Sequence, residues 1–322
     1  MIDNGTIRIG TRSSLLARTQ AGMVKQMLES RPYGKDPPEI EMVFITTSGD
    51  QQTDRPLADS GGKGLFIKEI ETALLEHRID LAVHSAKDLP AELAHGTVIA
   101  ATPLRADPND VWVSFENKSI AELSAQAVVG TSSLRRQSQL LALRPDVTVN
   151  PIRGNIDTRL HKVRNGVVAG TFLAKAGLDR TNLLPDGAII LPLDEFIPAA
   201  GQGILALQIR ADDSAMRSAV GAVNHVPTAA ALNFERRVVA ALAGNCLAPI
   251  GVCATPRGNV SNHLRGWIVR AFVATPDGRK IARATLLTED TSTDGLKSLY
   301  ELLIDTLKQR GADDILRIIN AP

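Results

Sequence analysis

VGTSSLRRQSQLL (129–141) reads as a strand, a turn of small polar residues, and the start of a helix. A helix start leaves backbone N–H groups without partners, and Thr131, Ser132 and Ser133 add hydroxyls there, a geometry suited to anions. Arg135 and Arg136 follow in the first helical turn, where the helix dipole disfavours cations. Cations so placed need a compensating anion, and a ligand carboxylate or phosphate would supply it. The alternative is that the hydroxyls merely cap the helix.

The same strand–turn–helix rhythm extends in both directions. Strand-like runs fall at 6–11, 39–47, 80–85, 97–102, 127–132, 147–152, 167–174 and 204–210. Many are Val/Ile-rich without alternation, as expected for strands buried on both faces. Helix patterns lie between them at 13–30, 66–77, 132–143, 155–165 and 212–224. This alternation predicts α/β lobes with largely parallel sheets. The last hundred or so residues differ. A helix (228–243) precedes three strand-like runs, IGVCA, LRGWIVRAFVA and KIARATLLT, and the turn TPDG (275–278) joins the last two. Helices at 292–310 and 312–319 close a small α+β domain with an antiparallel sheet. RADPND (105–110) and PAAGQG (198–203) read as crossing segments. The expected domains are therefore 1–104 with 203–224, then 105–202, then 225–322, and the cleft between the first two is the natural ligand site.

Composition narrows the function. The chain has 322 residues, 44% hydrophobic and 22% charged, with a net charge of +1. These values suit a globular protein and argue against a dedicated nucleic-acid binder. No apolar run reaches the roughly 18 residues that span a bilayer, so no membrane partner is expected. MIDNGTIRIGTR carries charges where a signal peptide needs an apolar core, which predicts a cytoplasmic protein. Two cysteines and six histidines form no metal-ligand spacing, and no metal is expected. Charge is unevenly placed, however. From Thr131 to Arg164, seven cations (Arg135, Arg136, Arg144, Arg153, Arg159, Lys162 and Arg164) face two anions, Asp146 and Asp157. A solvated helix face is one reading of such a run; a pocket for an anionic ligand is the other.

Further candidates stand at other strand ends. In PIRGNIDTRLHKVR (151–164), Arg153 ends a strand and Arg159 lies on the next helix, so two turns armed with Arg suggest a ligand with several carboxylates. TRSSLLARTQ (11–20) sets Arg12 and Ser14 at a junction of the same kind. AVHSAKDLP (82–90) ends a buried strand with Lys87 beside Asp88, and on extended backbone the two side chains diverge. Asp88 is a candidate for acid–base or charge-stabilising work, or else the partner of a surface ion pair. SGGKGLFIKE (60–69) is a glycine-rich loop bearing Lys63; its spacing is not that of a P-loop. GQGILA (201–206) matches GxGxxA but leads into a strand, which excludes a dinucleotide fingerprint. Cys246, in LAGNCLAPIG (242–251), has no neighbouring activator and follows a helix C-terminus. It is a core thiol or one that reacts once with a strong electrophile. Cys253 lies in an apolar strand and reads as core.

Together TRSSLLARTQ, GGKGLFIKE, AVHSAKDLP, VGTSSLRRQ, RGNIDTRL, AGQG and NCLAPIG, in that order from residue 6 to 255, resemble the porphobilinogen deaminase (hydroxymethylbilane synthase) family. The resemblance implies two periplasmic-binding-protein-like α/β lobes and a small C-terminal α+β domain with a three-stranded antiparallel sheet. It implies a monomeric transferase that condenses four porphobilinogen molecules head to tail, loses ammonia each time, and releases the linear tetrapyrrole hydroxymethylbilane. It also implies one dipyrromethane primer per chain, attached as a thioether to Cys246. By the same resemblance Asp88 is the catalytic carboxylate, a buried anion stabilising the azafulvene cation left by ammonia. Lys87, Thr131, Ser132, Ser133, Arg135 and Arg136 hold the primer, while Arg12, Ser14, Gln20, Lys63, Arg153 and Arg159 hold substrate carboxylates. The local excess of cations would then serve the growing polycarboxylate. Ser48 stands where the family commonly has a cation, Asn245 where it has a small residue, and Arg237 where it has Ala. Rival readings are a non-catalytic solute-binding protein of the same two-lobed kind, and a serine-type hydrolase using SGGK (60–63). The first lacks a signal peptide, and the second lacks a partner set.

Overall fold

A computed structural model describes residues 6–30, 39–47, 67–242, 248–257, 259–260, 263–264 and 266–320. Its contacts divide the chain into two compact units, 1–106 with 203–229, and 107–202 with 230–322. Two of the changeovers fall inside the segments RADPND and PAAGQG; the third falls early in the helix Val226–Leu242.

The first unit is built on a five-stranded sheet of order β2-β1-β3-β10-β4. Its strands are β1 (Thr6–Arg12), β2 (Glu39–Ile45), β3 (Leu81–Ser85), β4 (Thr97–Ala101) and β10 (Leu205–Arg210). β1 runs parallel to β2 and β3, whereas β10 is antiparallel to β3 and β4. Helices cover both faces, which explains the unalternating strands. Ile7, Ile9, Leu81 and Val83 pack with Ala21 and Val24 of α1 (Leu15–Glu29) and Met216 and Val220 of α6 (Ser214–Gly221). Ala82, pointing the other way, joins Ile70 and Leu74 of α2 (Lys68–Leu75).

The second unit repeats that arrangement in the order β7-β6-β8-β5-β9. These strands are β5 (Asp110–Val113), β6 (Val128–Gly130), β7 (Thr148–Asn150), β8 (Gly170–Ala174) and β9 (Ile189–Ile190). β6 is parallel to β7 and β8, and β5 is antiparallel to β8 and β9. In both sheets the antiparallel fourth strand is the one that follows a crossing segment, so the sheets are mixed where largely parallel ones were expected. The helices are α3 (Leu134–Leu143), α4 (Ile156–Arg164) and α5 (Lys175–Thr181). Phe172 stacks on Phe196, with centroids 4.9 Å apart, and meets Trp112 at a tilt, with centroids 5.0 Å apart. β5, β9 and α5 lie outside the runs read from the sequence.

The same unit carries the antiparallel sheet β11-β14-β15, formed by Ile250–Pro256, Trp267–Ala274 and Ile281–Thr288. A two-stranded ribbon, β12 (Asn259–Val260) and β13 (His263–Leu264), precedes β14. Helices α7 (Val226–Leu242), α8 (Thr293–Gln309) and α9 (Ala312–Asn320) cover one face, burying Phe234, Val238, Leu299 and Leu303 against Val252, Val269 and Ala282. Cys253 is fully buried in β11, as its apolar surroundings predict. The TPDG turn closes the β14–β15 hairpin with Thr275 N–H donating to the Lys280 carbonyl. Gly278 there has φ +69°, and a Cβ on it would stand 2.3 Å from the Ser138 carbonyl of α3. Among the described residues no helix is long and apolar enough to cross a membrane.

Candidate active site

β1 and β3 are parallel neighbours, so their C-terminal ends share one sheet edge, where α/β proteins place ligands. Arg12 ends β1, and Ser14 caps α1 by accepting the Ala17 N–H at 3.4 Å. β3 ends at Ser85, and a 3₁₀ turn, Ala86–Asp88, follows. These junctions bring Arg12, Ser14, Gln20, His84, Ser85 and Asp88 around one pocket. Gln20 is buried and locked to Ser85, its Nε2 donating to Oγ at 2.8 Å. Leu16, Ile70 and Val83 give the pocket an apolar wall. Two expectations need correction. Lys87 and Asp88 sit in a 3₁₀ turn and not on extended backbone, because Leu89 N–H bonds back to the Ala86 carbonyl. Asp88 is also exposed, where a buried carboxylate was expected.

The corresponding edge of the second unit holds the β6–α3 and β7–α4 turns. All three hydroxyls of the first turn have backbone partners. Thr131 Oγ1 accepts the Ser133 N–H at 3.1 Å, Ser132 Oγ donates to the Ile152 carbonyl at 2.8 Å, and Ser133 Oγ caps α3 at the Arg136 N–H. The counter-charge that Arg135 and Arg136 demand comes first from within the chain. Asp110, at the start of β5, accepts from Arg135 Nη1 at 2.7 Å and from Arg136 Nη2 at 2.6 Å and Nε at 3.2 Å. Gln202 Nε2 adds a fourth donor at 3.0 Å. The Asp110 side chain is 0% exposed and those of Arg135 and Arg136 are 8% and 7% exposed. Burial alone would raise the Asp110 pKa, but the two guanidiniums outweigh it and hold the carboxyl far below its usual range. Two cations against one anion still leave an excess positive charge there.

The wider excess of cations does not converge. Arg144 ends α3 and is bound by Asp146 and the Ile120, Ala121 and Leu123 carbonyls. Arg164 ends α4 and lies over the Phe115 ring. Both stand at helix C-termini, where cations suit the dipole. Arg159 donates to the Gly154 carbonyl and Lys162 to that of Arg153. Arg153 is different: its Nη2 is buried and has no hydrogen-bond partner among the described residues. An orphaned guanidinium N–H beside a helix N-terminus fits a ligand that brings carboxylates. Cys246, Lys63, Ser48 and Asn245 lie outside the described residues. Asp110 and His84 are the residues that sequence reasoning passed over. An Arg pair in a first helical turn is the signal that could have prompted a search for Asp110.

Against known families, residues 7–218 match the model described as "Porphobilinogen deaminase, dipyromethane cofactor binding domain". The chain belongs to the porphobilinogen deaminase family. It is 41% identical to the porphobilinogen deaminase of Brevibacillus brevis, over 97% of each chain. With that of Paraburkholderia phytofirmans it shares 42% over 98% of this chain and 90% of the other. The chloroplastic porphobilinogen deaminase of Oryza sativa subsp. japonica is 42% identical over 85% of this chain and 76% of that one. Among solved structures, a putative methionine-binding lipoprotein from Bacillus subtilis covers 70% of this chain and 93% of its own at 12% identity, with a TM-score of 0.43.

Proposed function

We propose that this chain is a porphobilinogen deaminase: it joins four porphobilinogen units head to tail on a covalent dipyrromethane primer and releases hydroxymethylbilane. The observation that carries this reading is the pocket at the β1–β3 edge, where Asp88, Arg12 and Ser14 meet an apolar wall. The apolar wall suits a pyrrole ring, Arg12 suits a ring carboxylate, and Ser14 offers a hydroxyl at a helix N-terminus. Asp88 accepts the pyrrole N–H. As the aminomethyl C–N bond breaks, its electron pair leaves with ammonia and positive charge spreads over the ring. The Asp88 carboxylate stabilises that charge, and the effect strengthens as the ring displaces water from the exposed oxygens. The carbon that has gained the new C–C bond then gives up its proton to solvent water, which restores the ring.

Dipyrromethane, when bound, supplies the pyrrole carbon to which the first unit is joined. Cys246 is assigned its thioether, and Lys87, Thr131, Ser132, Ser133, Arg135 and Arg136 its carboxylates. Gln20, Lys63, Arg153 and Arg159 are assigned, with Arg12 and Ser14, to the substrate. The Arg135–Arg136 pair supports this assignment through its net charge. Arg153 supports it through its buried Nη2, which has no partner among the described residues. A monomer in the cytoplasm, with porphobilinogen its small-molecule partner and neither nucleic acid nor membrane engaged, completes the proposal.

The test is Asp88→Asn. The variant should melt like the parent, show the mass of the polypeptide plus two linked pyrroles, and lose about 10²-fold or more in turnover. Near-normal ammonia release would remove Asp88 from this role. A bare polypeptide mass in fresh, active protein would remove the primer.

A further inference from the structure

His84 lies at the pocket wall four residues before Asp88, and its side chain is buried. It belongs to a hydrogen-bond chain whose directions are all forced. Thr97 Oγ1 donates its proton to the Ala94 carbonyl at 2.7 Å, so it can only accept from Gln208 Nε2, also 2.7 Å away. The same Nε2 donates to Glu71 Oε1 at 2.7 Å, and that oxygen takes the Ala94 N–H as well, at 3.0 Å. The amide nitrogen of Gln208 is thereby fixed, so its oxygen must face His84. His84 Nε2, 2.9 Å from that oxygen, must carry the proton. Its other nitrogen, Nδ1, is thereby left as an acceptor.

We propose that Gln208, held by Glu71 and Thr97, locks His84 as the neutral Nε2–H tautomer, and that His84 is a positioning residue keeping an uncharged acceptor beside Asp88. The proposal rests on the reading of Asp88 as the carboxylate that stabilises cationic substrate. An imidazolium at His84 would pair with Asp88 and quench that charge. Burial pushes the His84 pKa down to about 4, against the pull of the Gln208 hydrogen bond and of the charges on Glu71 and Asp88. Among the described residues, the charges acting on the ring are Glu71 from α2 and Asp88 from the 3₁₀ turn, and Arg12 from β1 lines the same pocket. Arg210, further along β10, is turned to Asp80 and Asp213. The device keeps Asp88 unpaired across the pH range in which an ordinary histidine titrates.

The experiment uses the primer-loaded protein labelled with ¹⁵N-histidine. Of six histidines, the signal absent from H84Q is His84. The expected result is one Nε2–H tautomer with no titration between about pH 5.5 and 8. A midpoint inside that range, or an Nδ1–H tautomer, overturns the proposal. Q208E places a carboxylate at His84 Nε2 and should lift the His84 midpoint above about 6.5. kcat/KM should then fall about tenfold or more below that midpoint, a limb absent from the parent and removed again in H84Q/Q208E. A His84 midpoint in Q208E that stays below about 6.5, or one above it with the parental pH profile, overturns the proposal. If Asp88→Asn alone keeps near-normal turnover, the Asp88 reading fails while the tautomer result stands.

Discussion

Replacing Asp110 by asparagine asks whether the Arg135–Arg136 pair is held by the protein itself or by its ligand. Asp110 accepts from four donors: Arg135 Nη1, Arg136 Nε and Nη2, and Gln202 Nε2. Asparagine keeps one acceptor oxygen but turns an amide N–H₂ toward guanidiniums, and it leaves two buried cations side by side without an anion. Removing one partner of a buried ion pair costs about 3–5 kcal/mol. For a unit of this size each kcal/mol corresponds to roughly 2–4 °C, so Asp110→Asn should lower Tm by about 6–20 °C. The pH dependence has a definite sign. The folded Asp110 pKa lies below the unfolded value of 3.8. Its stabilisation is therefore complete above the unfolded pKa and is lost as pH falls through the folded one. The parent should lose stability below about pH 4, and the variant should lack that component. Urea unfolding of primer-free protein at pH 7 and pH 3 measures both. A loss under about 1 kcal/mol at pH 7 would falsify the view that Asp110 is the principal counter-charge.

Three further outcomes follow. Arg153→Gln should change stability by less than about 1 kcal/mol, because Nη2 has no hydrogen-bond partner among the described residues. It should raise the porphobilinogen KM or loosen the primer by about tenfold or more; lost stability with unchanged KM would make Arg153 structural. Gly278→Ala forces a Cβ toward the Ser138 carbonyl at positive φ. It should cost at least about 1 kcal/mol by calorimetry, with faster amide exchange in the β14–β15 hairpin. Relative to H84Q, the parent should lose up to about 3 kcal/mol of stability as pH falls from 6.5 toward 4, because the depressed His84 pKa penalises the folded state in that window. Equal pH profiles for the two proteins would place His84 among ordinary titrating histidines.

Much of the fold was legible because strands buried on both faces leave long Val/Ile runs, and helices between them keep their period. The run LAVHS shows the limit. Its side chains alternate between two apolar layers, with Val83 facing α1 and Ala82 facing α2, so the sequence reveals a buried strand without revealing which face holds the pocket. Local motifs located Arg12, Ser14 and Asp88, since each stands at a strand end with a turn signal beside it. Asp110 was hidden because its meaning depends on Arg135 and Arg136, 25 and 26 positions away. The His84–Gln208 pair spans 124 positions. Both depend on β5 and β10, the strands that enter each sheet antiparallel after a crossing, and no local pattern predicts which neighbours such strands meet.

The two α/β lobes also show why similar turns carry different duties. Gly10 in β1 and Gly130 in β6 both lie where a Cβ would strike an isoleucine, Ile79 and Ile152. Each strand then delivers Thr, Ser and Arg to a helix start. In TRSS the cation precedes the capping serine, so Arg12 stands at the strand end and lines the pocket. In TSSLRR the cations follow the cap and therefore ride on the first helical turn. Their side chains run back beside β8 and β5, where Arg136 Nη1 donates to the Phe172 carbonyl and Asp110 receives both guanidiniums. Standing two positions before the cap, or two and three after it, thus separates an arginine presented at a strand end from a pair whose first counter-charge lies within the core. That is why the composition of a charged run, taken alone, overstated how much of it serves a ligand.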